Sequence, residues 1–95
     1  MNSVNNSLEK QGTVVDVRTV EEFEDCHVAG SINIPLQEIP ARIAELKNLP
    51  SPLVLCCASG NRSEQAYRYL VRQGIESVNG GSWLDVSNSQ FQKTV

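Results

Sequence analysis

The sequence predicts an α/β fold, a small parallel sheet flanked by helices on both faces, and three observations carry that prediction. Short apolar or β-branched runs alternate with segments of helical periodicity, the order that builds a parallel sheet. Leu53-Val54-Leu55, set behind Pro52, reads as a buried strand. The stretch after it has Ala66 and Leu70, and Tyr67 and Val71, at i,i+4 spacing, and Gly74 stops it. A chain of 95 residues with 40% hydrophobic content suits one small domain, residues 1–95, in which 1–11 form a flexible polar lead. Such a domain buries roughly 60 to 65% of its unfolded surface.

Each element has a local cause. Residues 13–17 are a β-branched run that reads as a strand covered on both faces. Thr19 followed by Glu22 is a capping box, opening a short helix through about Asp25. Residues 31–34 form a brief strand ended by Pro35. Leu36, Ile39, Ile43 and Leu46 trace one apolar helical stripe, with Pro40 near its first turn, where a missing N–H costs little. Leu53–Cys57 is the next strand, residues 63–73 the helix after it, and residues 76–79 the last strand, giving β-α-β-α-β-α-β.

Charge and composition exclude several classes. A formal net charge of −3 lacks the basic patch a nucleic-acid partner requires. No apolar stretch approaches the ~18 residues of a membrane span, and residues 1–10 are too polar for a signal peptide. The chain therefore reads as cytoplasmic, with a periplasmic site open to a mature form whose signal has been removed. Three cysteines at irregular spacing do not form a disulfide framework, so reduced thiols are expected.

The chemistry concentrates in Cys57-Ala58-Ser59-Gly60-Asn61-Arg62-Ser63, between the apolar strand and the helix. A loop there turns its backbone N–H groups inward, beside helical donors that lack intrahelical partners, and such a pocket binds anions. A thiolate is itself an anion, so a thiol at the bottom should ionise well below about 8.5. A two-unit drop needs about 2.7 kcal/mol. The helix terminus supplies roughly 0.3 to 2 kcal/mol, and loop N–H bonds of about 1 kcal/mol or more each must supply the rest. Gly60 frees the loop to take φ > 0. In open α/β sheets ligands bind beyond the carboxyl ends of the strands, and Cys57 stands at such an end.

Two registers are open. Counted from Cys56 the segment is Cys-x5-Arg-Ser, which resembles the phosphate cradle of cysteine-dependent phosphatases. Counted from Cys57 it is Cys-x4-Arg-Ser, which resembles the tighter loop of rhodanese sulfurtransferases. The residues from Ser59 to Ser63 favour the second, and the first leaves no evident carboxylic acid near the loop to protonate a leaving group. Asp16-Val17-Arg18, Glu22-Phe23 and His27-Val28-Ala29-Gly30-Ser31-Ile32-Asn33-Ile34-Pro35 resemble a second rhodanese hallmark, in the right order upstream. The resemblance covers residues 14–83 and is nearest to the compact, single-domain phage-shock type. Two departures stand out: Cys26 replaces a common glycine before His27, and Trp83 follows Gly80-Gly81-Ser82 sooner than in most relatives.

The resemblance implies a rhodanese-like three-layer fold and a double displacement needing no cofactor and no metal. Cys57 is the expected nucleophile, and Ala58, Ser59, Gly60, Asn61, Arg62 and Ser63 the expected substrate-binding loop. The implied partners are a small anionic sulfur donor such as thiosulfate or a persulfide and a cyanide or thiol acceptor. A sulfur-relay or binding role with a protein donor or acceptor is the alternative, beside a phosphatase or arsenate reductase using Cys56. Arg62 either faces the ligand or turns inward to pin the loop. Ser59 and Ser63 are candidate hydroxyl donors, with helix capping the plainer role for Ser63. Cys56, on the opposite face of the strand, is expected to pack as a small apolar residue. Arg18 is expected to pair with Glu21, Glu22 or a carbonyl at the sheet edge, and His27 to be structural. A zinc site from Cys26, His27, Cys56 and Cys57 is disfavoured because the ligands are directly adjacent in pairs.

Overall fold

Four strands form one parallel sheet: β1 (Thr13–Asp16), β2 (Ile32–Asn33), β3 (Leu53–Cys57) and β4 (Ser77–Ser82), in the order β2-β1-β3-β4. The structure is a computed structural model and describes residues 12–94; the expected flexible lead, 1–11, lies outside the described residues. Helix α1 (Val20–Asp25) follows β1, α2 (Ile43–Lys47) precedes β3, α3 (Asn61–Arg72) joins β3 to β4, and α4 (Trp83–Thr94) follows β4.

The strand prediction for 13–17 runs one residue long. Asp16 turns its own carboxylate onto the Arg18 N–H, Oδ1 accepting at 3.0 Å, which ends the ladder and starts the crossover. The capping box is present: the Thr19 hydroxyl accepts from the Glu22 N–H at 3.1 Å, and the Glu22 carboxylate accepts from the Thr19 N–H at 3.0 Å. The stripe from Leu36 to Leu46 is not one helix. Pro40 cannot donate to a continuous α ladder, so the backbone closes single turns at Leu36–Glu38 and Pro40–Arg42 before α2 begins.

The two faces of the sheet are unequal. Val15, Leu53, Leu55 and Cys57 pack with Val17, Ile39, Leu46, Ala66 and Leu70 in the main core. The strand alternation of period two sends Cys56 to the other face, against Val28 and Val86, with Val14, Val54 and Trp83 around them. Helices on both faces give the three-layer arrangement expected.

Two features at the carboxyl end of the chain differ from expectation. β4 continues through Gly80-Gly81 because a bulge lies there: Leu55 pairs with Asn79 and Cys56 with Gly81, which leaves Gly80 as the extra residue. Helix α4 follows at once, its first turn held by the Ser82 hydroxyl, which accepts from the Asp85 N–H at 3.0 Å. No helix among the described residues is long and apolar enough to cross a membrane.

Candidate active site

Cys57 ends β3 with its side chain in the main core and its sulfur beneath the loop that leads into α3. The loop bends at Gly60, φ +100°, a left-handed conformation that a side chain resists. That bend returns the chain over the sulfur. The Gly60 N–H donates to Cys57 Sγ at 3.0 Å and the Ser63 N–H at 3.4 Å, while the Ser63 Oγ lies 3.5 Å away. Burial pushes the thiol up, and it is outweighed by the Ser63 hydroxyl and by the N–H groups of Ser63, Gly60 and Ser59, so Cys57 ionises below the ordinary thiol range.

The neighbouring thiol is the opposite case. Cys56 is pushed up to about 12, first by burial and then by the Asp16 carboxylate, which stands beside it in the ladder. One strand thus carries an activated thiol and a silent one, separated only by the direction in which each side chain points.

The loop residues fall into distinct places. Ala58, Ser59 and Asn61 are exposed, and Gly60 and Arg62 are half-buried. Of the N–H groups expected around the sulfur, those of Ser59, Gly60 and Ser63 bear on it. Arg62 pins the loop. Its guanidinium makes a bidentate pair with Glu22 of α1, Nη1 to Oε1 at 2.8 Å and Nη2 to Oε2 at 3.1 Å. The Glu22 carboxyl is lowered to about 2, chiefly by Arg62 and then by the Thr19 N–H.

Two expectations are corrected. Ser63 does not cap α3: Gly60 holds that position, the helix starts at Asn61, and Ser63 stands one turn in, fully buried. Its hydroxyl serves the sulfur and the loop instead. Arg18 pairs with neither Glu21 nor Glu22. It forks onto Asp16, Nε to Oδ1 at 3.0 Å and Nη2 to Oδ2 at 2.8 Å, and Nη2 also donates to the Cys26 carbonyl at 2.6 Å. The guanidinium lies 5.1 Å over the Trp83 ring, so the pair ties β1 to the start of α4. Its carbonyl partner lies at the end of α1 and not at the sheet edge.

His27 donates through Nδ1 to the Phe23 carbonyl at 2.6 Å, since a carbonyl can only accept, and its ring stacks on Phe23 at 3.8 Å. That is a structural engagement. Cys26 is exposed, and Cys56 and Cys57 face opposite sides of β3, so the four residues weighed for zinc do not converge.

Asn79 on β4 is the site residue that sequence reasoning missed. Its Oδ1 accepts from the Ser63 hydroxyl at 2.7 Å and from the Gly81 N–H at 2.9 Å, and its Nδ2 donates to the Gly60 carbonyl at 3.3 Å and to Glu64 at 3.0 Å. The signal was available: a polar residue before Gly-Gly, at the carboxyl end of the strand next to β3.

Around this site each arginine is matched by an acid: Arg18 with Asp16, Arg62 with Glu22, and Arg68 with Glu64 at 2.9 Å. What the cradle offers a negative charge is therefore backbone N–H groups more than net positive charge.

The comparisons with known proteins agree with this geometry. "Putative sulfur carrier protein YrkF" of Bacillus subtilis (strain 168) is 42% identical over 68% of this chain, which spans about a third of that protein's length, 35%. Thiosulfate sulfurtransferase GlpE of Pseudomonas savastanoi pv. phaseolicola is 40% identical over 79% of this chain and 74% of its own. The solved structure of rhodanese with anions from E. coli superposes with a TM-score of 0.69 at 36% identity, covering 77% of this chain and 88% of that one. The family model of the Rhodanese-like domain matches residues 1–90, and with a parallel sheet that sets a hydrogen-bonded cysteine at a strand end, the chain belongs to the rhodanese-like domain family of sulfurtransferases.

Proposed function

We propose that this protein transfers sulfane sulfur from thiosulfate or a persulfide donor to cyanide or a thiol, through a persulfide on Cys57. The observation that carries the reading is the contrast between the two adjacent thiols, Cys57 lowered by its ring of donors and Cys56 raised to about 12. The Cys57 thiolate attacks the outer sulfur of the donor, the new S–S bond forms, and the donor's own S–S bond breaks with its electron pair leaving on sulfite or a thiolate. An acceptor thiolate or cyanide then attacks the terminal sulfur and returns Cys57 as thiolate. The N–H groups of Ser59, Gly60 and Ser63 hold negative charge on Sγ, in the manner of an oxyanion hole. A thiol already ionised needs no general base, and neither step requires a cofactor.

A sulfur-relay role with a protein donor or acceptor is the second reading. The matched arginines favour it, because the mouth offers no surplus positive charge to draw in a free dianion such as thiosulfate. The phosphatase reading through Cys56 is weak on physical grounds, since a thiol at about 12 is protonated at neutral pH.

The test is sulfur transfer from thiosulfate to cyanide, and from a small alkyl persulfide to cyanide, by the wild type, Cys57→Ser and Cys56→Ser, with a phosphate monoester in parallel. Thiocyanate formation lost only in Cys57→Ser is the expected result. Phosphate release lost in Cys56→Ser would overturn it, and inactivity with both small donors would pass the lead to the relay reading.

A further inference from the structure

Asn79 lies outside the loop, yet it holds the one hydrogen that both it and the cysteine sulfur can use. The count is fixed by donors and acceptors. Gly81 offers Asn79 an N–H at 2.9 Å, so the amide atom there is Oδ1, an acceptor only. That same Oδ1 lies 2.7 Å from Ser63 Oγ, so the hydroxyl must donate to it. A hydroxyl has a single hydrogen. While it points at Asn79, Ser63 turns lone pairs toward Cys57 Sγ at 3.5 Å, an arrangement that accepts from a neutral S–H and repels a thiolate. The other acceptor in reach, the Gly60 carbonyl, is longer at 3.2 Å.

We infer that Asn79 is a positioning residue that competes with the Cys57 sulfur for the Ser63 hydroxyl hydrogen, and so sets how readily the thiol ionises. With the thiol neutral, the chain of bonds runs from Cys57 S–H to Ser63 Oγ and from Ser63 O–H to Asn79 Oδ1. When the proton leaves sulfur, the Ser63 O–H turns from Asn79 to the thiolate. The S–H bond breaks with its electron pair left on sulfur, the proton goes to solvent, and no other covalent bond changes. The charged groups around the site do not supply this effect: Asp16 of β1 is paired with Arg18, Arg62 of α3 with Glu22 of α1, and Glu64 with Arg68. Cys56 on β3 stays neutral, and Asp85 at the start of α4 is near Gly81, where an added Cβ would meet its carboxylate at 3.5 Å.

A double-mutant cycle tests this in a Cys26→Ser background, which removes the exposed thiol. The pH dependence of alkylation by iodoacetamide, located on Cys57 by mass spectrometry, gives the thiol pKa without reference to sulfur transfer, so the inference and the proposed function can fail separately. It rests on Cys57 being the reacting thiol, which the location of the label checks. Asn79→Ala frees the hydroxyl for the thiolate and is expected to lower the pKa by about half to one unit, roughly three- to tenfold more thiolate below it. In the Ser63→Ala background the same substitution should change nothing. Equal shifts in both backgrounds, or a rise on Asn79→Ala, would overturn the inference and leave Asn79 a loop brace. A readout on unaltered Asn79 guards against misfolding: its side-chain carbonyl ¹³C shift should titrate with the Cys57 pKa, and should stop doing so in Ser63→Ala. An Asn79 signal that is flat across the Cys57 titration would also refute it.

Discussion

Glu22→Gln separates the structural work of the Arg62 pair from its effect on the donor. The substitution keeps an oxygen for the Thr19 N–H and for one arm of Arg62, and it removes the charge that now cancels the guanidinium. The side chains are a third exposed, 33% for Arg62 and 38% for Glu22, so solvent screening limits the pair to about 0.2 to 1 kcal/mol of stability. The effect on donors is a matter of ratio. A freed positive charge acts twice as strongly on a dianion as on a monoanion in the same place. At ~0.5 to 1 kcal/mol per unit charge near a surface, thiosulfate gains about 1 to 2 kcal/mol and a singly charged persulfide about half that. The kcat/KM ratio of thiosulfate to persulfide should rise about two- to fivefold. Glu76→Gln makes the same change in net charge where β4 begins, at the amino end of the strands and away from the carboxyl end that carries Cys57, and should leave the ratio unchanged. Steady-state kinetics at low ionic strength with both donors is the assay, and 0.5 M salt should flatten the difference. Equal gains for both donors, or a matching change in Glu76→Gln, would refute the charge argument.

Four further outcomes follow from the same geometry. Glu22 is depressed in the folded state to about 2, so its contribution is present above the ordinary carboxyl value and lost as pH falls through about 2; acid unfolding between pH 4.5 and 2 should be shallower in Glu22→Gln. Cys56 is raised, so above the ordinary thiol value the unfolded chain loses a proton that the folded chain keeps until about 12. Stability should therefore fall by up to about 1.4 kcal/mol per pH unit in that window, and Cys56→Ala should remove this slope in urea melts at pH 9 and 10. Asp16→Asn leaves the Arg18 charge, 6% exposed, without its counter-ion and should cost about 3 kcal/mol or more by urea midpoint. Gly80→Ala would set a Cβ 2.8 Å from Val86 and 2.9 Å from Val54, an overpacking worth about 1 to 3 kcal/mol, or a melting temperature lower by roughly 4 to 8 °C per kcal/mol.

The parts legible in the sequence were those set by neighbours along the chain. Leu53–Cys57 reads as a strand because an apolar run stands between Pro52 and a small-residue loop, and the capping box at Thr19 needs only Glu22 three residues on. Contacts made across the fold were harder to see. Arg62 and Glu22 stand 40 residues apart, and nothing in either segment singles out the other. Arg18 was misassigned because the exposed acids of α1 are closer to a surface ion-pair pattern than Asp16 is, whereas a carboxylate buried two residues back leaves no open partner for a guanidinium but itself. The single helix over 36–46 failed on Pro40, whose effect in a short segment is to divide it rather than to start it. Helix α4 was missed, although Ser82 and Asp85 have the spacing of a helix start.

Two one-residue offsets give the two adjacent thiols their different surroundings. Period-two alternation puts Cys57 under the loop and Cys56 beside Asp16, so an identical group meets N–H donors on one face of β3 and a carboxylate on the other. A slip of one residue along β3 would exchange those environments. The second offset is the bulge in β4. Without Gly80 as the extra residue, Asn79 and Gly81 would be next neighbours pointing to opposite faces; with it, the Asn79 carbonyl oxygen reaches the Gly81 N–H and the Ser63 hydroxyl together. Only a glycine fits there, between Val54, Val86 and the Leu55 carbonyl. The glycine pair thus aligns β4 with the loop, and through Asn79 and Ser63 the strand bulge reaches the sulfur that the loop encloses.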